Sequence, residues 1–535
     1  MANRQSTNRF GIDPAMVAQL DWKLAIKRIL VDVRSDFIYA PHLSNVYRHA
    51  SDELIEEVKG ELKKGQFGPG SPVTLDVPKS SRMKVVPRGG RGPTFSRPGS
   101  ILLPKDRLVY QALADQAAPL VKKHTDRARS FSHKVLTTSP EMFEPSRAAW
   151  NRMQQALNKL SKKKNGYVVK ADVANCFASI NQHTLINHLE SIDYPATLKN
   201  ALDAMLVLNT GDRSSRGLLQ GIFPSDLLGN FYLNPIDQMF KDLKIASVRY
   251  VDDIYAFVPS LEKAEQVMRE LTRRLRDYDL SLNESKSKLL NSKSLVIEEP
   301  DLEKLFSDAV EELKEDDIDS DYGFQSEWDD SDDDTEVEEL ELNATIVLFD
   351  SIEKFPAHVE KIERFCLPLF AAANSDYAVD HVLEAFTRRP AMSQIYCAYL
   401  TAFLDRKEVR DALGNLLDSS ELPYDWQRMW ILASLMTPEK SVDGIVSAAL
   451  RIYKDGRRHE ALRAVAAIFV AKHGTFPRQK ELSDNYNISG STYLQTAVLY
   501  GARYFNTPTR RASIKSWSGQ STTHLLVAKA IEGIK

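Results

Sequence analysis

Cysteine is scarce in this chain, three in 535 residues, and Cys176, Cys366 and Cys397 are scattered. No CxxC pair occurs, which leaves no zinc site or disulfide framework to expect and fits a reducing cytoplasm. Long apolar runs are missing as well. No stretch of ~18 uncharged apolar residues is present, so a membrane span is not expected. The opening Met-Ala-Asn-Arg-Gln-Ser-Thr lacks the apolar core of a secretory signal. Basic residues nearly vanish from 301–345, where twenty Asp/Glu stand against two Lys/Arg. That local charge of −18 leaves +15 elsewhere in a chain of net −3, a sign suited to a polyanionic partner.

What is present fits a globular protein of two or three domains, with 43% hydrophobic and 27% charged residues. Residues 1–70 read as an N-terminal helical region, with Asp13-Pro14 and Ser51-Asp-Glu as helix starts. Residues 301–342 form an acidic, low-complexity linker or insertion with too little apolar content to fold alone. Residues 343–535 read as consecutive helices broken at Pro390, Pro438 and Gly474, a pattern that favours an α-solenoid-like repeat domain.

Between these lies the informative region. Tyr250-Val251-Asp252-Asp253 separates two β-prone runs, Ile245–Arg249 and Ile254–Val258. The pattern predicts a hairpin with adjacent carboxylates at its tip. Asp172 ends a similar run, Tyr167–Ala171. Carboxylates on neighbouring strands are what a Mg²⁺-dependent nucleotidyl transferase needs, because Mg²⁺ takes few protein oxygens and leaves its other positions to water and phosphate. Two such ions could activate a 3′ hydroxyl and stabilise a pyrophosphate leaving group. An acidic pair alone could equally be a solvated turn.

Ordered company separates the two readings. Asp172-Val-Ala-Asn-Cys-Phe177 resembles motif A of reverse transcriptases, and Leu219-Gln220-Gly221 through Asn230 resembles motif B. Tyr250–Asp253 resembles motif C, and Leu282-Asn283-Glu-Ser-Lys286-Ser287 resembles motif D. The resemblance implies fingers and palm over 71–300 and an overall α+β fold, an antiparallel sheet with helices followed by the all-α repeat domain. It also implies roles. Asp172 and Asp252 would hold two Mg²⁺ ions, with the Val173 carbonyl completing a shell and Asp253 tuning the site. Phe177 would stack under the sugar and exclude a 2′ hydroxyl, or else simply pack in the core. Gln220 and Gly221 would form the turn over the nascent base pair, and Ser225 could cap a helix beginning at Asp226. Lys286, with Lys288 as its rival, would neutralise or protonate the leaving pyrophosphate. Lys79, Arg82 and Arg97 in the fingers could hold the incoming triphosphate.

Several expected segments are missing. The stretch Lys293–Val296 has no primer-grip glycine, and no thumb, maturase or ribonuclease H pattern follows. The remainder resembles the bacterial abortive-infection and defence-associated reverse transcriptases, which join a thumbless palm to a helical repeat domain. That resemblance implies a cytoplasmic DNA polymerase in phage defence, using dNTPs to make a DNA product. A non-coding RNA template, untemplated synthesis, self-association and a protein primer are all compatible with it. For the primer, Tyr39 and Tyr47 flank an expected turn at Ala40-Pro41 from which a phenol could swing. The rival readings are an RNA-templated enzyme of a mobile element and a binding scaffold with a degenerate palm. Intact Asp172, Asp252 and Asp253 speak against the scaffold.

Overall fold

The computed structural model describes residues 10–85, 91–163, 166–210, 215–295, 302, 305–310, 333–438, 443–488 and 490–534. Residues 311–332, the centre of the expected acidic linker, lie outside the described residues. Two compact units divide the chain, and neither is continuous in sequence. The first joins Met1–Thr74, Pro98–Glu299 and Asn487–Lys535; the second joins Leu75–Arg97 and Pro300–Tyr486.

The first unit is built on a four-stranded antiparallel sheet. Its strands are β3 (Tyr167–Asp172), β4 (Ala246–Tyr250), β5 (Asp253–Val258) and β6 (Lys288–Asn291), in the order β4-β5-β3-β6. Alternation along the strands puts Val168, Val248, Tyr255 and Phe257 into one cluster with Met153, Leu157 and Leu295, so the helix Ser146–Lys163 covers that face. The helix Leu261–Asp277 packs on β3 and β5, with Ala264, Val267, Leu271 and Leu275 buried at helical spacing. Strands β1 (Val73–Lys84) and β2 (Arg91–Ile101) form a separate two-stranded sheet. The root of that hairpin counts with the first unit and its outer part, Leu75–Arg97, with the second.

The N-terminal helices Trp22–Asp32, Pro41–His49 and Ser51–Lys63 complete the first unit with the helices of 487–535. Helices Thr492–Gly501 and Thr522–Gly533 pack on Pro41–His49. Asn45 donates to the Tyr500 hydroxyl at 2.9 Å. The His42 imidazole meets the Tyr493 ring edge-on, centroids 4.7 Å apart, and burial pushes that imidazole down to about 3. This differs from the expectation that 343–535 form one domain. The apolar faces of these last helices find their cover on the N-terminal helices.

The second unit is helical beyond its hairpin segment. Helices Val359–Ala372, Ser393–Thr401, Asp425–Leu435 and Glu460–His473 pack each on the next. Lys407–Asp418 and Asp443–Lys454 fill the intervals and touch one another. The helix Asp333–Asp350 begins inside the tract expected as a linker. Among the described residues, no helix is long and apolar enough to cross a membrane.

One buried carboxyl gives this fold a pH dependence. Asp106, 3% exposed, accepts a hydrogen bond from the Gly70 N–H at 3.1 Å. Burial pushes its carboxyl from 3.8 up to about 7. The folded chain therefore holds a proton there that the unfolded chain releases near pH 4. This contribution to stability is complete below the unfolded value and is lost as pH rises toward 7. We expect Asp106→Asn to flatten the decline in melting temperature between pH 4.5 and 8. Parallel wild-type and variant curves would refute this.

Candidate active site

The antiparallel register of β3 and β5 sets Asp172 opposite Asp253, and the β4–β5 hairpin sets Tyr250 opposite Asp253. Asp252 occupies the intervening turn. Its carbonyl accepts a hydrogen bond from the Val173 N–H at 3.2 Å, which ties the turn to the end of β3. The register thus brings the hairpin turn and the three carboxylates to one end of the sheet.

Beyond β3 the chain is held by a second strip of backbone. Asn283 N–H donates to the Asp172 carbonyl at 2.7 Å, and Ala174 N–H donates to the Ser281 carbonyl at 2.8 Å. Val173 and Leu282 form an isolated bridge between these bonds. The following turn brings Lys286 Nζ to 3.2 Å from Asp172 Oδ1, although the lysine side chain remains 58% exposed. Asp172, Val173, Asp252, Asp253 and Lys286 are therefore gathered at one end of the sheet. Lys288 lies within β6, paired in register with Lys170.

The turn carries strain. Val251 adopts φ 53°, a left-handed conformation that β-branched residues rarely take and that costs on the order of 1–3 kcal/mol. Two buried groups hold it. Ser132 Oγ accepts from the Val251 N–H at 2.8 Å, and Arg249 Nη1 donates to the Val251 carbonyl at 2.9 Å. Arg249 is 1% exposed. Its guanidinium also grips both Asp237 oxygens and donates to Asn230 Oδ1 at 2.8 Å. The segment containing Ser132 runs beside β4, with Phe131 N–H donating to the Arg249 carbonyl and Arg249 N–H to the Arg129 carbonyl. Arg249, Asp237, Asn230 and Ser132 were not singled out from sequence. The available signal was a lone arginine in an otherwise apolar strand.

Electrostatics at the tip suit a divalent cation. The Asp252 carboxyl is raised above the usual carboxylate range, first by burial and second by the negative charge of Asp172. Two close carboxylates, one of them poorly solvated, would be relieved by a doubly charged ion. Lys286 supplies only a single positive charge on the Asp172 side. Among the described residues, no group of three or more His, Cys, Asp or Glu side chains gathers into a cage. Two carboxylates and a backbone carbonyl offer oxygen donors of the kind that could hold a hard divalent cation.

Residues 86–319 match the family model for reverse transcriptase (RNA-dependent DNA polymerase). That segment is similar to a reverse-transcriptase domain. The match is to the family of RNA-directed DNA polymerases, a class of nucleotidyltransferases, over fewer than half of the chain's residues. A search of curated proteins finds no match. Among solved structures, the chain is similar to telomerase from Candida albicans in complex with a fragment of telomeric RNA, at 11% identity and TM-score 0.29. That match covers 72% of this chain and 66% of the telomerase chain, so this chain spans just under two thirds of its length. It is also similar to apo telomerase from Candida tropicalis, at 13% identity and TM-score 0.28, over 89% of this chain and 73% of that one.

Within the matched residues, the half-buried Phe177 lies against the helix Phe223–Tyr232. A Cβ on Gly229 of that helix would come within 3.0 Å of the Phe177 ring, so the glycine is what lets the ring lie there. Gly221 has φ 86°, and a Cβ on it would meet the Phe37 ring at 2.6 Å. The Gln220-Gly221 turn therefore requires glycine on both counts. Ser225 does not cap the helix. Pro224 starts the helix early, at Phe223, and Ser225 lies inside it, fully buried and 3.1 Å from the Tyr110 hydroxyl. The Phe223 N–H donates instead to Asp32 Oδ2 at 3.0 Å. Asp32 also pairs with Arg107 at 2.8 Å, and Arg107 pairs with Asp36 at 2.6 Å. Sequence reading missed this buried triad.

The remaining candidates fall elsewhere. Lys79 and Arg97 are half-buried on the hairpin segment that belongs to the second unit. On the same segment, Arg82 donates to the Arg388 carbonyl and Thr94 meets the Tyr424 hydroxyl at 2.8 Å. Ala40-Pro41 is not a free turn: Pro41 opens the helix Pro41–His49, with Ala40 as its N-cap. Tyr47 lies within that helix at 2% exposure, its phenol pushed up by burial. Tyr39, just before it, is half-buried and also raised by burial.

Proposed function

We propose that this reverse-transcriptase domain adds dNTPs to a growing DNA end by two-metal nucleotidyl transfer, and that it does so in defence against phage. The observation that carries the chemistry is the close pair Asp172 and Asp252 at the tip of the sheet, with Lys286 beside it. Asp172 and Asp252, with the Val173 carbonyl, are the groups that would hold Mg²⁺, which would supply hydroxyl activation and charge neutralisation at the leaving pyrophosphate. Lys286 exchanges its contact with Asp172 for the triphosphate and donates a proton as pyrophosphate departs. Gln220 and Gly221 support the nascent base pair through their backbone. Phe177 closes the space beside the sugar C2′.

Phe177→Ala should raise the ratio of rNTP to dNTP incorporation at least about tenfold, since a ring that excludes one hydroxyl acts through sterics alone. An unchanged ratio in a folded variant would assign the ring to packing against Gly229.

The defence setting rests on the likeness of motifs A to D and the thumbless arrangement to abortive-infection enzymes. Priming on a protein hydroxyl accords with the missing primer grip. Tyr39 is the more accessible of the two phenols considered, and Tyr47 could serve only if its helix opened. The test is incubation of purified protein with labelled dNTPs and Mg²⁺, with and without primer and template. Label retained on denatured protein supports protein priming. Extension only of added primer on template points to templated synthesis, and no incorporation under any condition overturns the polymerase reading.

A further inference from the structure

The helical part of the second unit contains a charge pattern that polymerase chemistry does not use. Residues 343–450 hold fifteen Asp/Glu and ten Lys/Arg, whereas residues 451–480 hold eight Lys/Arg and two Asp/Glu. The fold gathers much of this basic stretch around a cleft of about 680 Å³ within the second unit. The cleft lies between the ends of helices Lys407–Asp418 and Asp443–Lys454 and the helix Phe476–Asp484. Five cationic side chains line it: Arg451, Lys454, Arg457, Arg458 and Arg478. Asp418, Asp455 and Glu481 are the acidic groups there.

From this geometry we propose that the cleft binds the phosphate backbone of a single-stranded nucleic acid. Each cation has an acidic neighbour, such as Arg451 with Asp418 at 2.7 Å and Lys454 with Glu481 at 2.6 Å. The Arg451–Asp418 pair is solvent-exposed and the Arg457 side chain is 91% exposed, whereas Arg458–Asp425 is partly buried; exposed pairs contribute about 0–1 kcal/mol. They hold the cationic groups extended around the cleft and yield to a stronger anion at little cost. A phosphodiester chain presents such anions in series, and arginine forks match their oxygens in pairs. The lining includes Leu417, Leu450 and Ile452, and no Phe, Tyr or Trp. Bases are therefore not stacked in the cleft, and recognition is electrostatic and indifferent to sequence. Its volume falls in the range of ligand pockets, room for a short run of nucleotides and too small for a duplex.

The experiment compares wild type with Arg451→Gln/Arg457→Gln/Arg478→Gln, using a fluorescent dT oligomer and varying KCl. Loss of three phosphate contacts should weaken binding at least about tenfold and lower the log–log salt slope by about 2, at roughly 0.7 per contact for single strands. A photoreactive 4-thio-dT oligomer should crosslink to peptides within 443–484 in wild type and in Asp172→Ala alike. That arm separates the cleft from the polymerase site, so failure of one reading leaves the other standing. Unchanged affinity and slope in the folded triple variant would overturn the proposal, as would crosslinks confined to the reverse-transcriptase domain. If the triple variant does not fold, Arg457→Glu alone should still reduce affinity and slope, and no change in it would be equally fatal. A loss of dATP binding without loss of oligomer binding would identify a free-nucleotide site and reject the backbone assignment.

Discussion

Asp172→Ala and Asp252→Ala should each lower dNTP incorporation by at least about 10³-fold, the scale expected when a charge-stabilising ligand is removed from a metal-assisted transfer. Neither change should unfold the protein, and here the electrostatics make an unusual demand. Asp252 is raised by burial and by the charge of Asp172, so the two carboxylates destabilise one another in the metal-free chain. Alanine at either position removes that repulsion. The variants should therefore melt no lower than wild type without Mg²⁺, and Mg²⁺ should stabilise them less than it stabilises wild type. Calorimetry with and without Mg²⁺, beside the incorporation assay, separates a lost metal ligand from a damaged fold. A folded variant with near-wild-type incorporation would remove both residues from the chemistry.

Arg249→Ala should produce the largest loss of stability. The change leaves Asp237 buried without its cation, and breaking a buried ion pair from one side costs about 3–5 kcal/mol. For a domain of this size the melting temperature should fall on the order of 10 °C. Incorporation should fall further than stability accounts for, because the Val251 carbonyl loses its donor and the strained turn carrying Asp252 is released. Arg249→Lys should not rescue, since one ammonium cannot span Asp237, Asn230 and Val251 together. Removing both charges, as Arg249→Met with Asp237→Leu, should recover much of the stability and little of the activity. If the double variant is as unstable as Arg249→Ala, the penalty lies in packing and not in the orphaned carboxylate.

The acidic hairpin tip was legible because its signals are local. Two apolar runs of period two around an acidic turn can form little other than a hairpin, and antiparallel register then fixes which residues face one another. Motif D was legible only as a resemblance, yet two backbone hydrogen bonds between 281–283 and 172–174 bring Lys286 onto Asp172. The misreadings share a cause. Proline reads as punctuation in a sequence, yet at Ala40-Pro41 and Phe223-Pro224 it opens a helix, where its missing N–H costs nothing. Arg107 and Arg249 were passed over because a charged residue in a mixed pattern reads as solvated, and only tertiary structure supplies the buried partners that let each stay inside. The helix stack left no sequence repeat, but its inner helices begin at 359, 393, 425 and 460, steps of 34, 32 and 35 residues. The division into units was beyond any linear reading, since nothing local pairs 487–535 with 41–63.

That pairing has a consequence for how the protein comes into being. Asn45 meets Tyr500 across 455 positions of sequence, and the helix Pro41–His49 rests against Thr522–Gly533. During synthesis the N-terminal helices emerge early, and the surface they share with the last helices stays uncovered until most of the chain has been made. Contacts of such long separation also carry a high loop-closure cost, so their docking belongs to the late, slow phase of folding. Between those two events the helix carrying His42 and Tyr47 is exposed to water and to other chains. The first unit is therefore sealed late, with its earliest-made helices among the last parts to be covered.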